Sequence, residues 1–479
     1  SMKKFSLLLI CLVVAVSILA GCNLPEPTSG PIVQGTPISG AKVPNTEEPV
    51  KTIAVSQVTP QPSKQAETPL VETPTSVPVV NSTPGQELKG GVAYISNPKV
   101  SNDELKTLAE AQNRFAVDLY KQLAAQPGNL FFSPYSLYSA LTMSFAGAKG
   151  ATAGEMIQTL HLPYTSEKIH QVMNGLTQRL LSAAKVGDIE LFKFTIANAV
   201  WAQAGYPFLQ EYLDTLSANY AAGLKIVDFR DKEAASKMIN DWVMEQTNQR
   251  IKDLISKDSI TPATRLVLTN AIYFKANWAS QFKEKDTADA PFYLQDETTQ
   301  IVKMMYQQAD FAYVRNQQFD AVELPYEGGN FSMVLLMPKG QSLSEFEKGL
   351  TPEILNIFAD SKLNAKIDLF VPKFGMEQSL SLVETLKKLG MQSAFEDTAD
   401  FSGMTGSKDL KISDVVHKAF LQVNEGGTEA AAATGVVIGL TSAMPPEEII
   451  ELRFDHPYLV MIRDNNTSTL VFLGRYMQP

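Results

Sequence analysis

Residues 410–444 read LKISDVVHKAFLQVNEGGTEAAAATGVVIGLTSAM. From Gly427 to Met444 this stretch contains no proline, so its backbone N–H groups are all available to a strand ladder. At a period of two, Thr428, Ala430, Ala432, Thr434, Val436, Ile438 and Leu440 share one face. Glu429, Ala431, Ala433, Gly435, Val437 and Gly439 share the other. The first face is small or apolar apart from threonine hydroxyls, as a strand face entering a core must be. Four successive alanines are poor strand formers and would suit a helix. Gly435, Gly439 and the β-branched run between them oppose one.

The surrounding chain has 479 residues, 44% hydrophobic and 19% charged, with a formal net charge of −10. That is ample for a large core. The acidic balance argues against a nucleic-acid partner, which calls for a basic patch or stripe. Both cysteines, Cys11 and Cys22, lie in the first 22 residues, so nothing beyond them can form a disulfide framework, a zinc–cysteine site or a thiol nucleophile.

Ser1 reads as an expression remnant before Met2. Lys3 and Lys4 precede an apolar run over 5–20, short for a spanning helix of about 20 residues and suited to a signal peptide. The run ends Leu19-Ala20-Gly21-Cys22, which resembles the bacterial lipobox. That resemblance implies removal of residues 1–21 and a lipid on Cys22, placing the mature protein at the cell envelope or surface, outside the cytoplasm. Several acyl chains on such a cysteine hold firmly where one alone binds weakly. Residues 22–98 then read as a disordered stalk: 23–98 hold 13 of the 27 prolines and Tyr94 as the one aromatic. Such a coil would span roughly 50 Å, more with proline stiffening.

From 99 onward the texture is globular. Ser101 or Asn102 can cap a helix with Asp103 and Glu104 in its first turn, and Leu105, Leu108, Phe115, Leu119 and Leu123 recur at helical spacing. A second helix is expected after Ser133-Pro134. Strand-like runs fall at 194–201, 266–274, 331–337 and 367–374, and 458–462 and 469–473 flank the turn signal Asp464-Asn465-Asn466. Helical stretches over 234–248 and 380–389 lie between them. Without regular β–α alternation, the class is α+β.

Enzyme constellations fare poorly. The glycine-rich 147–154 lacks the Lys-Ser/Thr ending of a phosphate loop and reads as a helix–helix turn. No Gly-x-Ser-x-Gly elbow or His-Glu-x-x-His occurs. His161 and His170 have no carboxylate pattern to orient them. A triad of Ser133 or Ser136 with His417 is conceivable, but a buried histidine bonded to serines is common without catalysis. No metal and no cofactor are expected.

The segment 410–434 closely resembles the serpin hinge region. Other segments agree in that family's order: Asn129-Leu-Phe-Phe-Ser133-Pro-Tyr-Ser136-Leu, Thr269-Asn270-Ala-Ile-Tyr-Phe-Lys-Ala-Asn-Trp278, Val322-Glu-Leu-Pro-Tyr326, Val371-Pro-Lys373-Phe374 and Ala399-Asp-Phe-Ser-Gly-Met404. The resemblance covers about 101–479 and implies a serpin domain over 99–479, with a large central β-sheet, two smaller sheets, about nine helices and an exposed reactive-centre loop. It implies a monomeric, non-enzymatic suicide inhibitor of serine peptidases, whose cleaved loop inserts into the central sheet and traps the acyl-enzyme. Serpin loop insertion is an established instance of strand addition and of stored strain released. The alternative is a non-inhibitory serpin acting as a binding or carrier module. Bulky, charged or proline residues in the hinge would mark it, and Thr428, the four alanines from Ala430 to Ala433 and Thr434 offer no such block.

By position, the resemblance makes Ser133, Ser136, Asn270 and His417 a hydrogen-bonded shutter beneath the sheet, and Trp278 the tryptophan at the insertion point. Lys373 and Glu425 become a pair at the top of the sheet, and Glu425, Gly427, Thr428, Glu429, Ala430, Ala431, Ala432, Ala433 and Thr434 the hinge. Counting seventeen residues from Glu425 puts the reactive bond at Thr441-Ser442. Counting back from the Pro445-Pro446 pair gives Ser442-Ala443, and Leu440-Thr441 is the third choice because leucine suits an apolar pocket. With no Arg or Lys nearby, elastase-like or subtilisin-like peptidases are the expected partners.

Overall fold

The computed structural model describes residues 79–186, 189–360, 362–429 and 449–479. The signal peptide, Cys22, the stalk up to residue 78, hinge residues 430–434 and all three candidate reactive bonds lie outside the described residues.

In chain order, strands β1 (Val79–Val80) and β2 (Glu87–Leu88) lead into helix α1 (Asn102–Leu123). Then come β3 (Leu130–Phe132), α2 (Pro134–Phe145), α3 (Gly150–Thr159), α4 (Ser166–Ala183) and the short strands β4 (Lys185–Val186) and β5 (Ile189–Glu190). β6 (Phe192–Gln203), β7 (Phe208–Leu209), α5 (Gln210–Tyr220), β8 (Leu224–Val227), α6 (Lys232–Gln246) and β9 (Leu266–Asn277) follow. The rest is mostly strand: β10 (Ala288–Tyr293), β11 (Thr299–Arg315), β12 (Phe319–Pro325), β13 (Phe331–Pro338), β14 (Leu363–Pro372) and β15 (Phe374–Ser381). The last are β16 (Ile412–Asn424), β17 (Gly427–Thr428), β18 (Ile450–Arg453), β19 (Tyr458–Asp464) and β20 (Leu470–Tyr476). Five further helical segments of four to six residues bring the α-helices to eleven among the described residues.

The expected α+β class holds. Seven strands form the central sheet in the order β15-β16-β17-β9-β6-β8-β2. The two smaller sheets are continuous, in the order β18-β14-β11-β12-β13-β19-β20-β3 with β10 also on β11. Strand β11 joins them, pairing β10 over 299–304, β14 over 304–313 and β12 over 312–315.

Local chemistry explains the early helices. Ser101 Oγ accepts from Glu104 N while the Glu104 carboxylate accepts from Ser101 N, a complete capping box for α1. Ser133 caps α2 with Pro134 at the first helical position, and all twelve residues of α2 are buried. It touches β6 and β9 of one sheet and β20 of the other. The helix expected over 380–389 shortens to Val383–Lys388, because β15 stays paired with β16 through Ser381.

Alternation gives the central sheet two different faces. Phe194, Leu268, Ile272 and Val415 face the main core with α2. Ala197, Ala199, Trp201, Val267, Ala271 and Val416 face a second cluster built by Ala235, Ile239 and Val243 of α6 and by Ile251, Leu254 and Ile255 beyond it.

The stalk boundary expected at 98/99 lies too late. Residues 79–98 are bound to the domain: Val79 and Val80 pair with Leu209 and Phe208, and Glu87 and Leu88 extend the central sheet beyond β8. Gly90 N donates to Ser217 Oγ (2.7 Å) and Ile95 N to Ala218 O (2.9 Å). Pro84 sits in the turn between β1 and β2, and Leu88 is buried. Proline there shapes a turn between paired segments, so a proline-rich composition coexists with satisfied backbone groups.

Candidate functional site: a strand slot in the central sheet

Strands β9 and β16 run parallel and pair directly from Leu266–Ile412 to Ile272–Ala419. Above that point β17 separates them. It is antiparallel to both, with Thr428 opposite Val423 and Ala276, and Gly427 opposite Asn424 and Asn277. The chain reverses at 424–427, where Asn424 Oδ1 accepts from Gly426 N (3.0 Å) and Gly427 N (3.2 Å). Gly427 has φ +148°, and a Cβ there would lie 2.1 Å from Ala276 O, so only glycine fits.

Of the predicted hinge, Thr428 is already seated in the sheet. It is fully buried, and its Oγ1 lies 2.7 Å from Tyr326 Oη. Glu429 follows with φ +51°, its N–H donating to Gln422 O (2.9 Å). Its side chain, assigned by alternation to the other face, is covered as well: only 2% is exposed, and Oε2 pairs with Arg250 Nε at 3.4 Å. Burial first, and then the neighbouring Glu429 carboxylate, push the Tyr273 hydroxyl up to about 12.

At the top of the sheet, Trp278 stacks on Tyr326 with ring centroids 4.7 Å apart and donates from Nε1 to Asn424 O (3.0 Å). Its backbone N–H donates to Gly426 O (2.9 Å). Glu425 accepts from Lys373 Nζ (2.8 Å) and from Thr287 Oγ1 (2.8 Å). Burial alone would raise the Glu425 carboxyl, but the Lys373 hydrogen bond, with help from Thr287, outweighs it and holds the group below its usual range. Trp278, Lys373 and Glu425 thus converge on the turn that starts β17.

Ser133, Ser136, Asn270 and His417 also come together. His417 lies opposite Asn270, which lies opposite Asn198, making one polar row across β16, β9 and β6. His417 is fully buried; Nε2 accepts from Ser133 N (3.0 Å), and Nδ1 donates to Asn270 Oδ1. Desolvation holds its pKa down to about 3, so it is neutral. Asn270 Nδ2 donates to Ser136 Oγ (2.5 Å) and to Asn198 Oδ1, while Ser136 Oγ donates to Asn198 Oδ1 (2.9 Å). Sequence reading missed Asn198, for which the even spacing along β6 was the available signal. It also missed Tyr326 as the partner of Thr428 and Arg250 as the partner of Glu429.

This geometry does not build a serine nucleophile. Ser133 Oγ donates to Val471 O (2.6 Å), and the histidine nitrogen that could take a proton is occupied by a backbone N–H. His161, for which no carboxylate partner was expected, lies 2.7 Å from Asp118. His170 lies 2.7 Å from the Tyr220 hydroxyl.

The central sheet thus holds a two-residue strand between β9 and β16, above a stretch where those two strands pair directly in parallel. The sequence pattern of the family Serpin (serine protease inhibitor) matches residues 110–479, and the chain belongs to that family. It is 41% identical to leukocyte elastase inhibitor A of Mus musculus, over 78% of this chain and all of the relative. Its fold matches the thermophilic serpin tengpin in the native state with a TM-score of 0.72 and 26% identity, over 84% of this chain and all of that one. Human thyroxine-binding globulin in complex with its ligand matches at 0.70 and 29% identity, over 78% and 99%. Family and relatives together support protease inhibition and not catalysis.

Proposed function

We propose that the chain is an irreversible, single-use inhibitor of serine peptidases that acts as a monomer. It is held at the bacterial cell envelope or surface by a lipid on Cys22. The peptidase serine attacks the carbonyl carbon of Thr441, the C–N bond to Ser442 breaks, and the amine of Ser442 leaves with the proton. The Thr441 carbonyl remains as an ester on the enzyme. The freed strand then runs down between β9 and β16 and carries the peptidase with it before water hydrolyses the ester.

One observation carries this reading: β17 already sits between β9 and β16, in the orientation a complete inserted strand needs. The polar row His417–Asn270–Asn198 is the shutter that parts as the strand passes. The Lys373–Glu425 pair and Trp278 hold the entry point. Leu440, Thr441, Ser442 and Ala443 suit an elastase-like or subtilisin-like target, in line with the name of the mouse relative.

The test is to mix the protein with a panel of serine peptidases, look for an SDS-stable complex, and sequence the released C-terminal peptide. A start at Ser442 supports the first bond; a start at Ala443 or Thr441 selects one of the alternatives. No complex with any peptidase, with the loop cleaved at one of these bonds, overturns the inhibitory reading.

A carrier role is the second reading. A cleft of about 700 Å³ is lined by Lys106, Glu110, Phe358, Lys362, Arg463 and Asn465. Buried Nε and Nη1 of Arg463 have no hydrogen-bond partner among the described residues. The structurally similar thyroxine-binding globulin was solved with its ligand bound.

A further inference from the structure

Residues 79–98 do more than cover an edge. Strand β2 places Glu87 beside β8, with Oε1 3.6 Å from Lys225 Nζ. Lys225 Nζ in turn lies 4.8 Å from the ring centroid of Trp242 on α6 and 5.7 Å from that of Trp201 on β6. The two indoles meet edge to face at 5.7 Å. Trp201 Nε1 donates to Thr269 Oγ1 (2.8 Å), and Thr269 sits on β9 directly opposite Val416 of β16. An unbroken chain of contacts thus runs from the N-terminal segment through a cation between two aromatic rings to the seam where strands must part.

Helix α6 packs against β6, and its apolar residues share one cluster with residues of both seam strands. The apolar cluster under α6 contains Val267 and Ala271 from β9 and Val416 from β16, so separating those strands shears it. Anything that presses α6 onto the sheet therefore resists opening. A lysine over two indole faces gains attraction from both rings, and a carboxylate beside it fixes its place. The segment itself is held elsewhere by Gly90 N to Ser217 Oγ and by Gly91 N to Asp214 Oδ1 (2.7 Å), both acceptors on α5.

We propose that residues 79–98 are a strap that holds α6 onto the central sheet through the Glu87–Lys225–Trp242 contact. The strap thereby sets the rate at which the β9/β16 seam opens. Its second half, the control of opening, rests on the inhibitory reading above; its first half, the hold on α6, does not.

The test uses the full chain with two variants. Gly90→Val unseats the strap, because a Cβ at residue 90 would lie 2.5 Å from Asp214 Cα. Glu87→Lys reverses the charge beside Lys225 and needs no repacking, since Glu87 is exposed at the surface. Two quantities are read: hydrogen exchange over 232–246, and the rate at which a synthetic peptide of residues 428–441 enters the sheet. Both are expected to rise about tenfold in each variant, equivalent to about 1.4 kcal/mol. Exchange that rises over 79–98 while 232–246 stays unchanged overturns the strap. Faster exchange in α6 without faster peptide entry overturns its control of the seam. A wild-type protein that takes up no peptide and traps no peptidase refutes the inhibitory reading instead, and exchange in α6 still decides the strap's hold on the helix. Should Gly90→Val fail to fold, Glu87→Lys alone carries the same outcomes.

Discussion

Replacing Thr428 with arginine separates the inserted state from the intact one. In the intact protein Thr428 is fully buried, and its hydroxyl meets that of Tyr326. An arginine here loses that bond, about 1 kcal/mol, and leaves an unpaired guanidinium in the sheet, about 3–5 kcal/mol. The intact protein can escape most of this penalty, because β17 is two residues long and can swing out at the cost of a few ladder bonds. An inserted strand cannot escape, since its neighbours on both sides hold it in register. If about 3 kcal/mol of the penalty is felt as the strand enters, insertion slows by roughly a hundredfold. Hydrolysis of the acyl-enzyme then outruns trapping, and the inhibitor becomes a substrate. The assay is a titration of peptidase with inhibitor, read as residual activity and as SDS-stable complex on a gel. Thr428→Arg should cleave normally, give little complex and melt near the wild type when intact. Complex formation equal to wild type refutes the reasoning, because it means that residue 428 need not enter the sheet.

Cleaving the loop at 441–442 should raise the melting temperature well above that of the intact protein. The new strand would bury Val436, Ile438 and Leu440, each worth roughly 1.5–3 kcal/mol, and equal melting temperatures after confirmed cleavage would contradict this. His417, held down to about 3, and His170, held down to about 4, are neutral when folded but protonate near 6.5 when unfolded. The unfolded state therefore binds more protons below that pH, so stability falls as pH drops from about 6.5 toward their folded values, and His417→Gln should flatten the slope in urea titrations. Glu425 has the depressed carboxyl of an acid stabilised by its partner, so its contribution is present above the unfolded value near 4.3 and is lost as pH falls through the folded one. Lys373→Met should abolish that part of the acid transition and raise the rate of spontaneous loop insertion, read as loss of inhibitory activity on storage.

The strand that begins at Gly427 and Thr428 was legible because alternate residues of one short segment without proline share a small or apolar face; hinge residues 430–434 lie outside the described residues. Helices α1 and α2 were legible from their caps, Ser101 with Glu104 and Ser133 with Pro134. Other parts depend on residues far apart in the chain. Tyr326 meets Thr428 across 102 positions, and Asn198 meets Asn270 across 72. No local period marks Arg250 as the ion that covers Glu429. The strap was misread for a different reason. Its prolines and glycines suggested a free coil, yet Gly90 is required by close approach to α5, and Pro84 turns the chain between two paired strands. Composition reports how many residues disfavour a ladder; it does not say whether the few that remain meet an open sheet edge.

Strand direction explains why the slot lies where it does. Strands β9 and β16 are neighbours that run the same way, and a strand between them can be antiparallel to both only if it runs the opposite way. The turn at 424–427 gives β17 that direction, so a chain continuing from Thr428 would convert one parallel seam into two antiparallel ones. The seam must still stay shut beforehand. In its lower part the closure is polar: His417 bonds Asn270 across the seam, and Ser133 and Ser136 at the start of α2 join the same network. A buried apolar seam would lose contact area gradually as it opened, whereas a hydrogen-bonded row resists until its partners separate and leaves costly unpaired groups when they do. Asn270→Ala should therefore loosen the seam more than its lost volume implies, since His417 Nδ1 and Asn198 Oδ1 each lose a partner. Spontaneous conversion of intact Asn270→Ala to a loop-inserted form, detected as a more heat-stable species without cleavage, is the expected result. A variant that remains native for as long as the wild type would show that the row contributes nothing to closure.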